Sequence, residues 1–174
     1  PIWETGPDGT VAVLVPPTAP DLSRFASREW WTQILTNFEE HFASAGGSGY
    51  DLELSAEGGM VAWFRENQEV LQDKANEADI AAMVEFLVAQ SGRGDLQINA
   101  ELASRGEELL SSGELSAGSI STCDNCHADV GGVFELGAEN GGIPELNQYG
   151  SQAWLTAFIS DPGQEQFYGE RNKM

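Results

Sequence analysis

Two thiols and an imidazole fall within one short stretch, Cys123-Asp124-Asn125-Cys126-His127, and these are the only 2 cysteines in the chain. Thiols three residues apart serve in nature as a redox dithiol, as half of a zinc site, or as an attachment point for haem. A structural zinc site needs four thiolate or imidazole ligands. The only other imidazole here is the distant His41, and adjacent Cys126 and His127 cannot easily both face one tetrahedral ion. A redox dithiol of the thioredoxin kind wants a strand before it and a helix after it. This motif instead follows a serine-rich stretch (Ser116, Ser119, Ser121) and precedes a glycine-rich one (Gly131, Gly132, Gly137). Haem attachment is the reading that uses every one of these residues. Two sulfurs at this spacing match two vinyl groups on one porphyrin edge, and the next residue offers a neutral imidazole to the iron.

The elements that would position this motif are helical. Residues 99–110 read as a helix with Asn99 as N-cap and Leu102, Leu109 and Leu110 at helical spacing. A turn-rich loop over 128–143 follows the motif and ends at Pro144 and Leu146. Residues 151–159 read as a second helix, capped by Ser151, with Trp154, Leu155 and Phe158 on one face. Asp161-Pro162-Gly163 forces a turn, after which only Met174 offers a thioether. Upstream, residues 77–90 carry an apolar stripe at Ile80, Met83, Val84, Leu87 and Val88, and Met83 is expected in the core. Gln90-Ser91-Gly92-Arg93-Gly94 ends that helix and marks a domain boundary.

A repeat runs through the chain. Residues 19–35 align without gaps on 143–159 at an offset of 124, with five of 17 positions identical: Pro20/Pro144, Leu22/Leu146, Ser27/Ser151, Trp30/Trp154 and Thr32/Thr156. At the same offset His127 falls on Trp3 and Cys126 on Ile2, so the first repeat lacks both the second thiol and the imidazole. Residues 42–60 read as a loop, with His41 exposed beside it.

With these residues in view, the chain resembles class I c-type cytochromes, and the tandem arrangement looks like the domains attached to bc-type quinol-oxidising complexes. The resemblance implies an all-α fold of two tandem domains. Residues 1–92 would form a degenerate, haem-free domain cut short at its N-terminus, and 93–174 a domain binding one haem c and ending at its distal methionine. The family's last helix, which normally packs on its first, has no counterpart after Met174, while 77–90 supplies one in the first repeat. Cys123 and Cys126 would carry the haem, with His127 and Met174 on the iron. A Pro144 carbonyl would accept from His127 Nδ1–H, fixing the tautomer. Leu146 and Tyr149 would line the haem and Trp154 would donate its indole N–H to a haem propionate, with core packing the competing role for Trp154.

The implied function is one-electron transfer to redox protein partners. A peroxidase-type enzyme would need an open distal side, which Met174 would close, and a distal acid–base residue. A docking or scaffold role for the haem-free repeat is the other alternative. The balance of 28 Asp and Glu against 8 Lys and Arg gives −20, a poor match to nucleic acid or anionic lipid. With only Lys74 and Lys173, docking through a lysine ring is excluded; an apolar haem edge or an acidic face would have to serve. No stretch approaches the ~20 apolar residues of a membrane helix. Pro1-Ile2-Trp3-Glu4 does not read as a signal peptide, so the start is taken as a processing or proteolysis boundary. Haem c attachment implies a periplasmic or extracytoplasmic location.

Overall fold

The structure is a computed structural model that describes residues 2–5, 11–15, 24–43, 59–123, 127–129, 134–135 and 146–164. These residues are mostly helical, and every sheet among them is a two-stranded antiparallel hairpin. Strands β1 (Ile2–Thr5) and β2 (Val11–Val15) form the first, a feature not expected from the sequence pattern. Helices α1 (Arg28–Thr36), α2 (Phe38–Ala43), α3 (Gly59–Leu71) and α4 (Glu77–Gln90) follow, with a 3₁₀ turn at Lys74–Asn76 before the last. Helix α5 (Ala100–Ser112) leads into the short hairpin β3 (Glu114–Leu115) and β4 (Gly118–Ser119). After the cysteine motif come β5 (Ala128–Asp129), β6 (Phe134–Glu135) and α6 (Gln152–Ser160).

Helix α4 is the hub. It is buried nearly all round, and Met83 and Ala82 are fully inaccessible, as befits a helix that is apolar on most of its circumference. It packs extensively on α5 and also on α1. The α4–α5 crossing depends on Gly106, where a Cβ would lie 2.0 Å from the Ala82 carbonyl oxygen. Two buried carboxylates of α4 reinforce it. Glu85 accepts a two-pronged ion pair from Arg28 of α1 (2.7 and 2.8 Å) and also the Asn99 N–H at 2.6 Å. Arg28 holds this carboxyl below its ordinary value, its hydrogen bond outweighing the cost of burial. Asp79 takes Arg105 of α5 and the Ser116 N–H at 2.7 Å. Burial pushes its carboxyl upward, but these hydrogen bonds more than compensate and leave it lowered. The helix assigned by sequence to the end of the first repeat therefore packs against the helix assigned to the start of the second. Residues from both sides of position 92 share one buried cluster.

The internal repeat has a three-dimensional counterpart. Ser27 and Ser151 both sit in extended backbone and accept from Trp30 N–H (3.2 Å) and Trp154 N–H (3.1 Å). The two helices they cap are each 9 residues long. Thr32 and Thr156 both donate to the carbonyl four residues back, at 2.8 and 2.7 Å. Before each cap the chain turns left-handed, at Ala26 (φ 56°) and Gly150 (φ 107°). The two turns lie against one another. A Cβ on Gly150 would sit 2.5 Å from that of Ala26, so position 150 must be glycine while 26 carries a methyl. Phe25 meets its counterpart Tyr149 with ring centroids 5.2 Å apart. The cross contacts are reciprocal: Phe25 stacks on Trp154 at 5.4 Å, and Trp30 meets Tyr149 at 6.1 Å. Equivalent residues of the two repeats thus contact one another.

Two expectations fail. His41 is not in an exposed loop: it lies on α2, half-buried and edge-on to Trp30 at 5.8 Å, and burial lowers its imidazole pKa. The expected loop over 42–60 is entered by helix at both ends, since α2 runs to Ala43 and α3 begins at Gly59. Among the described residues no helix is long and apolar enough to cross a membrane.

Candidate functional site

The approach to the motif begins where α5 stops. Gly113 adopts φ 72° and donates to the Leu109 carbonyl, closing the helix, and its own carbonyl accepts from Ile120 N–H at 2.8 Å. The hairpin between them is held by side chains from the first half of the chain. Asn76, fully buried, accepts from Ala117 N–H at 2.7 Å and donates to the carbonyls of Val70 (2.8 Å) and Ala117 (3.4 Å). With its amide so engaged, Asn76 makes no side-chain cap on α4, though it sits at the capping position. Asn67, 6% exposed, accepts from Ser121 N–H at 3.0 Å and donates to the Trp63 carbonyl at 2.7 Å. Trp63 Nε1–H in turn donates to the Ser121 carbonyl at 2.7 Å.

Two residues beyond Ser121 the chain reaches Cys123, which is partly buried and packs against the main core. His127 N–H donates to the Cys123 carbonyl at 2.7 Å, the four-residue span of a helical turn. One backbone turn thus joins the residue of the first thiol to the residue of the imidazole. A thiol able to form a thioether and an imidazole able to ligate iron are residue types that a haem of the c type would need. Cys126, Pro144 and Met174 lie outside the described residues.

The remaining expected residues are placed by the repeat. Leu146 and Tyr149 are half-buried against the same core cluster as Cys123. Tyr149 meets Trp154 at 4.7 Å, and Trp154 is stacked between Phe25 (5.4 Å) and Phe158 (5.3 Å). Trp154 thus takes part in aromatic packing. Sequence reasoning missed Trp63, Asn67 and Asn76. The available signal was local and weak: Asn67 falls at helical spacing with the apolar Val61, Phe64 and Leu71, a position where a buried amide needs partners. Among the described residues no three His, Cys, Asp or Glu side chains converge as a metal cluster.

Comparison with protein-family models, with curated proteins and with solved structures finds no match to this chain.

Proposed function

We propose that the protein is a one-electron carrier with a single haem c attached through Cys123 and Cys126 and ligated by His127. The observation that carries this reading is the turn from Cys123 to His127, closed by the 2.7 Å hydrogen bond between them. It places Cys123 and His127 at the two ends of one backbone turn, which supports their serving one group. Cys123 and Cys126 would hold the haem covalently, each through a thioether to one of its vinyl-derived side chains. When bound, haem supplies an iron that cycles between two oxidation states. The chain's own contribution is to fix the sulfurs, present a neutral imidazole, and exclude water. Met174 is the thioether the family resemblance assigns to the iron's other side.

The wider reading is a tandem of cytochrome c-like repeats, 1–92 without haem and 93–174 with it, working outside the cytoplasm with redox protein partners. The resemblance to domains of bc-type complexes supports a fixed place in such an assembly. The acidic balance of −20 supports partners that present basic or apolar surfaces.

The test is a reduced-minus-oxidised spectrum with pyridine haemochrome on the natively produced protein. A c-type haemochrome is expected, and His127→Ala should keep the thioether-bound haem while abolishing the low-spin spectrum. A protein without haem absorbance would refute the proposal.

A further inference from the structure

We infer that Asn67 and Trp63 are positioning residues for the attachment motif, setting the backbone register from which Cys123 and His127 are presented. The inference rests on the haem-attachment reading above. Helix α3 belongs to the half of the chain that has no thiol or haem motif, yet two of its side chains take up both backbone polar groups of Ser121. Asn67 accepts the Ser121 N–H and Trp63 donates to the Ser121 carbonyl. The two residues stand one helical turn apart, so their polar atoms face one way. Asn67 also donates to the Trp63 carbonyl, which fixes its amide: only one orientation can both donate there and accept from Ser121.

The same device recurs four residues earlier in the segment. Asn76 accepts from Ala117 N–H and donates to the Ala117 carbonyl. Side-chain amides and an indole thus grip the stretch from Ala117 to Ser121 as a neighbouring strand would, with groups that pair at one register only. A slip of one residue would shift the chain by about 3.3 Å, far outside the tolerance for placing two sulfurs and a ligand on one planar group. The haem-free half therefore has a specific duty: it registers the chain that enters the motif.

A purely structural role predicts that haem properties follow stability, whatever the variant. A positioning role separates them. Trp63→Phe keeps an aromatic ring while removing the donor to Ser121 and some ring volume, and Asn67→Ala removes the acceptor together with the donor to the Trp63 carbonyl. Arg28→Gln, which weakens the tie to Glu85 away from the motif, serves as the control matched for loss of melting temperature. In the haem-bearing protein, both test variants should speed hydrogen exchange at the Ser121 amide about tenfold or more. They should also lower the haem-bearing fraction by intact mass or shift the midpoint potential, with both unchanged in Arg28→Gln. If Asn67→Ala does not fold, Trp63→Phe carries the test alone. Wild-type haem content and potential in Trp63→Phe, or equal changes in Arg28→Gln, would overturn the positioning role alone. A wild-type mass without haem would overturn the attachment reading, and the positioning role with it.

Discussion

Helices α1 and α6 share a length, a serine cap, a left-handed turn before the cap and a threonine bonded to the carbonyl four residues back. Their fates differ completely. The stripe Trp31, Ile34 and Leu35 on α1 is buried, at 2%, 7% and 3% exposure. The corresponding Leu155, Phe158 and Ile159 on α6 include no buried residue, and Ile159 is 71% exposed. The difference is α4, which packs on α1 and ties it down through Arg28 and Glu85. Local chemistry writes the helix and its cap, and a distant element decides whether the apolar face is covered.

Leu35→Ala and Ile159→Ala give the sharpest contrast. The first should cost about 2–5 kcal/mol as a core deletion, the second no more than ~0.5 kcal/mol as a surface change. Chemical denaturation of the two variants side by side checks this, and equal losses would break the comparison.

Acid should act on the α4 attachments next. Glu85 and Asp79 are held below their ordinary values of 4.5 and 3.8, so the fold binds fewer protons there than the unfolded chain does. The stability they add is complete above those ordinary values. It is lost as pH falls from them through the lowered folded ones. Arg28→Gln should lower the melting temperature near neutrality and flatten the part of the acid slope that Glu85 supplies. The cost should be about 1–3 kcal/mol, less than for a fully buried pair because Arg28 is partly exposed. A melting profile from neutral pH to 3 that is flat in the parent, or equally steep in both, would contradict the assignment.

The caps should show what the repeats have in common. Ser27→Ala and Ser151→Ala each remove one side-chain bond at an identical position, worth about 1 kcal/mol. The first should appear in global unfolding. The second should appear mainly as faster amide exchange in the first turn of α6, because that helix is less tied to the core. Equal global losses for both would show that α6 is better anchored than its exposure indicates.

What could be read from the sequence follows the same division. The bounds of α4, the Asn99 cap of α5 and the Ser151 cap of α6 were legible, since each depends on a cap or a period within a dozen residues, and Ser27 was visible as the repeat partner of Ser151. The placement of Met83 in the core came from the same periodicity. The start of α3 at Gly59 was hidden by a glycine-rich approach that reads as loop. His41 was misread because its shelter comes from Trp30, which no local pattern reveals. The packing of α4 on α5 could not be seen either, because a stripe shows that a helix has a partner without saying which. For the site, the motif was plain in five residues, while the side chains that bond the segment before it, Trp63, Asn67 and Asn76, lie 41 to 58 positions away from the groups they hold.

The central claim is that this motif carries one haem. Intact-mass measurement of the natively matured protein, before and after Cys123→Ser with Cys126→Ser, tests it most directly. The parent should weigh one haem more than the polypeptide, and the double variant should lose that mass entirely. A parent mass showing no haem, or two, would contradict the account.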